Sequence, residues 1–330
     1  MRPLLHPHML NGRTGDPALY IETLFEKRAI LFDLGDITAL PPRKIQRLDH
    51  VFVSHTHIDH FFGFDRLLRV LVGRDKTINL YGPERLIDHV RHKLQAYCWN
   101  LADRYACNLI FMVAEVDASR ACRTTRFSLK NAFAPEPLGT DVLQEGILFQ
   151  ERGFGISTAV LEHGTPCLAF AMKEAEHVNV WKNRLAEMSL PVGPWLRELK
   201  RAVIEDRPDD YTIRTPDGQQ TRLERLRHLL TITAGHKIAY VTDVADTAEN
   251  RNAIVELAKG ADILFIEAAF AKADAALAAE RAHLTTAAAG EIARAARVRR
   301  VEPFHFSPRY EGDEQRMLDE VMAAFFGHSS

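Results

Sequence analysis

Short apolar runs alternate with helical periodicities along the chain. Ala29–Leu34 (AILFDL) is apolar and closed by Gly35, which predicts a strand, and Val51–Ser54 predicts another after the break at Pro41-Pro42. Gly63–Val72 has helical spacing. Thr77–Tyr81 alternates as a strand does, Gly82-Pro83 ends it, and Pro83 suits the first turn of a helix reaching about Asn100. Ile156–Glu162 and Cys167–Met172 flank the turn His163-Gly164-Thr165-Pro166, a strand-turn-strand pattern. Lys237–Thr242 and Ile263–Glu267 are continuously apolar, as buried strands are. Ala248–Lys259 and Thr285–Ala296 have helical spacing, Val301–Phe304 reads as a strand end and Asp313–Phe326 as a closing helix. Strands and helices take turns, which predicts an α/β layered fold.

Glu174–Gly235 departs from this pattern. It is charged, carries Pro191, Pro194, Pro208 and Pro216, and holds only short amphipathic pieces. It predicts an arm at 174–235 inserted into a single domain spanning 1–330. Hydrophobic residues make up 46% and charged residues 26% of the 330, an ordinary soluble globular composition with ample chain for a large core. The net charge of −2 gives no global basic field, so a polyanionic partner would need a local patch. Cys98, Cys107, Cys122 and Cys167 form no CxxC pair and read as buried small side chains in a reducing compartment. The start lacks the apolar run of a signal peptide and no stretch is apolar enough to span a bilayer, so the expected location is the cytoplasm, away from membranes.

The candidate chemistry is concentrated in VFVSHTHIDHFFGFD. His55, His57, Asp59 and His60 follow directly on an apolar strand. Three imidazoles and a carboxylate within six residues pack poorly but suit a borderline metal ion. A tight loop after a strand can turn His55 and His57 toward one ion and Asp59 and His60 toward another. Two-metal hydrolysis needs further ligands from other strand ends. His163, Asp243 and His305 each sit at such an end. The histidines at 6, 8, 89, 92, 177, 228, 236 and 328 read as surface or packing residues.

With these residues in place the sequence resembles the metallo-β-lactamase superfamily, and within it the ribonuclease Z branch of tRNA 3′-processing endonucleases. SHTHIDH matches the HxHxDH motif, LFDLGD resembles the motif whose aspartate, here Asp33, holds the histidine loop from behind, and VLEHG carries His163. VTDVADTAEN resembles the segment with the bridging aspartate, Asp243. HFSPRY resembles HFSxRY, which implies phosphate contacts at Ser307 and Arg309. LPVGPWLRELK (Leu190–Lys200) resembles the arm that grips tRNA, with Arg197, Lys200 and Arg201 as RNA contacts. Ile266-Glu267-Ala268-Ala269 stands where the branch has His-Glu-Ala-Thr, so its usual histidine is absent, and His283 in AHLTT resembles the branch's His-Ser-Thr segment.

The resemblance implies a four-layer αβ/βα sandwich with a protruding arm, and a homodimer that could hide the apolar face of Phe61, Phe62 and Phe64. It implies two divalent ions, zinc before manganese or iron because imidazoles dominate. One ion would take His55, His57 and His163, the other Asp59, His60 and His305, with Asp243 between them. The implied reaction is attack of a metal-activated hydroxide on a phosphodiester, at an RNA 3′ end or in a smaller molecule. Asp59 would handle the water proton, and Glu267 and His283 are candidates for orienting ligands and protonating the leaving group. Two readings compete: hydrolysis of a sulfate ester or lactone, and a non-catalytic RNA-binding relative.

Overall fold

The computed structural model describes residues 5–23, 28–151 and 153–327; His328 lies outside them. The chain divides into two compact units. The first takes its residues from Met1–Glu151, Gly155–Met172 and His236–Ser330, and the second from Arg152–Phe154 and Lys173–Gly235.

In the first unit β1 (Leu5–Met9), β2 (Leu19–Thr23), β3 (Ala29–Phe32), β4 (Leu48–Phe52), β5 (Lys76–Pro83), β6 (Leu109–Val116), β7 (Ala121–Ser128) and β8 (Pro135–Val142) form one sheet in chain order. Strands β3 to β6 run parallel and the flanking pairs antiparallel. The second sheet starts with β9 (Ile147–Gln150), β10 (Phe154–Glu162) and β11 (Pro166–Glu174). The chain then builds the second unit with β12 (His177–Val180), β13 (Thr212–Arg214), β14 (Gln220–Arg222) and β15 (Leu230–Thr233). It returns to complete the second sheet with β16 (Lys237–Val241), β17 (Ile263–Glu267) and β18 (Val301–Phe304), in the order β18-β17-β16-β11-β10-β9.

The layering follows from which faces are apolar. Helix Phe64–Leu71 buries Phe64, Leu67, Leu68 and Leu71, a stripe at helical spacing, and together with helix Leu86–Gln95 packs into the core on one face of the first sheet. Helices Ala248–Ala258, Thr286–Ala295 and Glu314–Phe326 cover the second sheet through Ala239, Val241, Leu264 and Ile266. Between the sheets Phe32 meets Phe52, Phe170 and Tyr240 with ring centroids 5.2, 5.7 and 5.6 Å apart. Strands covered on both faces have no polar face to show, which is why β3, β16 and β17 read as continuous apolar runs. The result is the four-layer αβ/βα sandwich.

Several expectations need correction. Pro83 does not open a helix: it pairs with Val116 as the last residue of β5, and the helix runs only over Leu86–Gln95, after Arg85 at φ 75°. The β4 partner of β5 ends at Tyr81, so Pro83 needs no N–H on that side. Phe61 and Phe64 are core residues, and only Phe62 is exposed, at 55%. They form no apolar face for a dimer to cover. Of the four free cysteines only Cys167 is buried; Cys98 is exposed and Cys107 and Cys122 lie between. No helix among the described residues is long and apolar enough to cross a membrane.

The second unit has a core of its own. Helix Trp195–Ile204 buries Trp195, Leu196, Leu199, Ala202 and Val203 against Ile213, Leu223, Leu226 and Leu229. Arg197 and Arg201 on the same helix are exposed and Lys200 is half-buried.

Candidate metal centre

The centre is assembled where four strands of the first unit end. β4 runs into Val53, whose N–H donates to Tyr81 O at 2.7 Å, and the chain then turns through Ser54 to the single helical turn Ile58–Phe61. Asp33, fully buried at the end of β3, holds this loop. Its carboxylate accepts the Ser54 N–H at 2.6 Å, the Ser54 hydroxyl at 2.8 Å, the Tyr240 hydroxyl at 2.7 Å and His60 Nδ1 at 3.0 Å. With Nδ1 engaged, His60 presents Nε2 to the centre. Backbone meets backbone here: a Cβ on Gly63 would lie 2.3 Å from Gly35 O, so any side chain there would push the ligand-bearing turn away from Asp33.

His163, after β10, donates from Nδ1 to Ala282 O at 2.7 Å, which leaves its Nε2 3.5 Å from Asp243 Oδ2. Asp243 follows β16 and is buried. Its Oδ2 also lies 3.6 Å from His55 Nε2 and 3.4 Å from His60 Nε2. His305 follows β18 in the left-handed region at φ 59°, with Nδ1 2.7 Å from Asp243 Oδ1 and Nε2 3.3 Å from Asp59 Oδ2. His60 Nε2 is 3.5 Å from Asp59 Oδ2.

Two sets of ligand atoms therefore each lie within 4.8 Å of one another: His55, His57, His163 and Asp243, and Asp59, His60 and His305. A third set joins Asp243, His283 and His305. The buried nitrogens His55 Nε2, His60 Nε2 and His305 Nδ1 have no hydrogen-bond partner among the described residues. His305 Nδ1 is close to Asp243 Oδ1 but badly aligned for a hydrogen bond, so the short distance does not satisfy it. Two atoms each about 2.1 Å from one tetrahedral ion stand roughly 3.4 Å apart. The spacings around Asp243 Oδ2 match that separation and are too long for hydrogen bonds. The donor set therefore fits divalent metal ions.

Charge in the ion-free cluster is strongly redistributed. Burial would raise Asp243, but His305 and His60 pull its pKa well below the carboxylate range. Burial would lower His60, yet Asp243 and Asp33 hold it well above the usual histidine value. His305 is likewise pushed up to about 10, mainly by Asp243 against the effect of burial. His55, more buried than it is compensated, is lowered well below its usual value, and the neighbouring His60 adds to this. Only a neutral imidazole coordinates, so metal binding at His60 and His305 is expected to compete with their protonation.

Beside the cluster is a cavity of 230 Å³ lined by Asp16, Asp59, Arg281, His283, His305 and Ser307, among others. Glu267, fully buried at the end of β17, accepts the Val244 N–H at 2.8 Å and the Ala269 N–H at 3.3 Å, and both its oxygens lie 3.2 Å from His283 Nδ1. Burial would lower the His283 pKa, but Glu267 outweighs it and the value is raised. Ile266, one residue earlier, packs among the covering helices on the opposite face of β17. Arg309 does not line the cavity; its guanidinium lies 6.0 Å from the Phe270 ring and 5.9 Å from the Tyr310 ring. Arg197, Lys200 and Arg201 belong to the second unit.

Arg281, Asp16 and the backbone of Ala282 were missed in the sequence. Helix Ala275–Glu280 ends with Ala282 N–H donating to Ala279 O and His283 N–H to Ala278 O, the paired bonds of a Schellman motif. Ala282 takes the left-handed position at φ 56° that glycine usually fills. Ala282→Gly should therefore stabilise the fold by up to about 1 kcal/mol in urea denaturation. An unchanged or lower midpoint would show that the strain is absent.

Comparison with known proteins matches these features to one family. The profile of the "Beta-lactamase superfamily domain" matches residues 29–135 and 214–306. The Ribonuclease Z of Deinococcus radiodurans is 32% identical over 329 residues, covering 98% of this chain and 96% of that protein. The chain belongs to the ribonuclease Z family. Solved structures agree on the fold: the human tRNase Z short form is similar with a TM-score of 0.53 at 19% identity, covering 91% of this chain and 92% of its own. The metallo-beta-lactamase fold protein YhfI from Bacillus subtilis has a TM-score of 0.54 at 15% identity, covering 96% and 91%. The metallo-β-lactamase fold and the ribonuclease Z resemblance expected from HxHxDH and HFSPRY both hold, and with them the expectation of a hydrolytic enzyme whose fold implies divalent metal ions.

Proposed function

We propose that this chain is a metal-dependent phosphodiesterase of the ribonuclease Z kind, hydrolysing RNA near a 3′ end. The carrying observation is the pair of ligand sets, one containing Asp243 and the other with His60 and His305 beside that same carboxylate, next to a cavity lined by Asp59, His305 and His283. His55, His57 and His163 would hold one ion, Asp59, His60 and His305 the other, with Asp243 shared. Imidazoles outnumber carboxylates in this set, which favours zinc. When bound, such a pair supplies Lewis acidity and makes water acidic enough to ionise near neutral pH.

The residues supply the rest. Asp59, half-buried at the cavity wall, orients the attacking water and accepts its proton. His283 is held through Nδ1 by Glu267, so Nε2 is the nitrogen left to protonate the departing oxygen. One P–O bond forms from water and one breaks, leaving a phosphomonoester and an alcohol. Arg197, Lys200 and Arg201 in the second unit are proposed to contact the RNA backbone.

The test is purification with metal analysis, then assay on bis(p-nitrophenyl) phosphate and on a 3′-extended tRNA precursor. Metal-dependent cleavage of both is expected. Cleavage of the small ester alone would move the substrate to small phosphodiesters. If neither is cleaved with metals bound, the phosphodiesterase reading is wrong.

A further inference from the structure

The phosphate contacts implied by HFSPRY leave a gap, because Arg309 rests over two aromatic rings and does not line the cavity beside the metal centre. Among the described residues lining that cavity, Arg281 is the one with a permanent positive charge. We propose that Arg281 is the side chain that binds the substrate's phosphate, a role that rests on the phosphodiesterase reading above.

Three observations carry this. First, the Arg281 side chain has no hydrogen bond or ion pair among the described residues, whereas Arg13, Arg28, Arg47 and Arg251 are each held by carboxylates. A guanidinium free of carboxylates keeps its planar fork for two oxygens of an anion. Second, its position is coupled to the centre. It is the capping residue of helix Ala275–Glu280; the next residue, Ala282, clamps His163 through its carbonyl, and the one after, His283, is clamped by Glu267. A helix end tied down at two successive residues holds the arginine backbone in a fixed place relative to the ligands. Third, the cavity is small. At 230 Å³ it falls below the roughly 300–1,000 Å³ of pockets that enclose whole ligands. It suits one phosphodiester group, with the rest of the substrate outside.

The competing role for Arg281 is that of counter-charge to Asp16 and Asp59, which line the same cavity. Arg281→Ala, Arg281→Lys and Arg309→Ala, prepared as metal-loaded enzyme, separate the two. Binding of inorganic phosphate is measured by calorimetry, metal content by elemental analysis, and kinetics with bis(p-nitrophenyl) phosphate. Phosphate affinity and kcat/KM should fall about 10- to 100-fold in R281A with full metal content, less in R281K, and further in R281A than in R309A. Added guanidinium ion should restore part of the R281A loss. Phosphate binding equal to wild type in R281A, or a larger loss in R309A, overturns the assignment. So does a loss in both Arg281 variants that tracks lost metal. If wild type binds phosphate through Arg281 yet cleaves no ester, the phosphodiesterase reading fails while the phosphate site stands. Efficient cleavage by R281A would sink the phosphate site alone.

Discussion

Asp243→Ala is expected to lower kcat/KM on bis(p-nitrophenyl) phosphate by at least about a thousand-fold and to reduce bound metal well below that of the wild type. The carboxylate lies within 3.6 Å of nitrogens from His55, His60 and His163, and its other oxygen 2.7 Å from His305. Asp59, the other carboxylate among the proposed ligands, lies 3.5 Å from His60 Nε2 and 3.3 Å from His305 Nε2 and is grouped with none of His55, His57 and His163. Its loss also has a cost in the ion-free protein. Asp243 raises the pKa of both His60 and His305 against the effect of burial, and alanine at 243 removes that support. Urea denaturation should therefore show a destabilised apoprotein. Asp243→Asn keeps the volume and should lose activity almost as completely, because an amide is a poor bridging ligand. Wild-type metal content and turnover in either variant would remove Asp243 from the centre.

The contiguous part of this site was legible because it is local. His55, His57, Asp59 and His60 share one loop, and a strand followed by that spacing has few other uses. His163, Asp243 and His305 were legible because each lies just past a strand, at β10, β16 and β18, of which β16 is an almost fully buried apolar run. What stayed hidden depends on contacts remote in the chain. Tyr240 reads as one more apolar strand residue, yet its hydroxyl donates to Asp33 from 207 positions away. Ala282 gave no signal of a helix end, because the left-handed position carries alanine where glycine would have marked it. Arg281 stands two residues before His283, and that R-A-H spacing was the one clue available.

The fold divides along the same line. Strands covered on both faces declare themselves by composition alone. β8, with sequence PEPLGTDV, is exposed almost throughout, contains two prolines and a glycine, and exists because it pairs with β7. β1 carries two histidines and a proline and is a strand because β2 lies beside it. β8 has no hydrophobic period to read, and the alternation of β1 spans only five residues. Ile266 illustrates a different limit. Its place in the chain suggested a missing catalytic histidine, but strand alternation sends residue 266 to the helix layer and residue 267 to the site. The group near the metals at this strand end is the Glu267 carboxylate, with His283 bound to it.

That pairing makes a second large effect testable. Glu267→Gln and His283→Ala should each lower kcat on the phosphodiester by about 100- to 1,000-fold, the range lost when a general acid or the group that orients it is removed. Metal content should change little, because neither residue belongs to the seven proposed ligands. The double variant should be no slower than the worse single one, since Glu267 acts through the imidazole it holds and residues acting as a unit are not additive. The glutamine variant should also be less stable by about 1–3 kcal/mol. One carboxylate oxygen now accepts from Val244 and the other from Ala269, and an amide group can serve only one of these donors. A substrate whose leaving group needs no proton discriminates most sharply. Bis(p-nitrophenyl) phosphate releases a stabilised phenolate, so its loss should be smaller than that on RNA, where an alkoxide must be protonated. Equal losses on both substrates would mean that the pair positions the metal ligands and does not deliver the proton. A multiplicative loss in the double variant would separate Glu267 from His283 altogether.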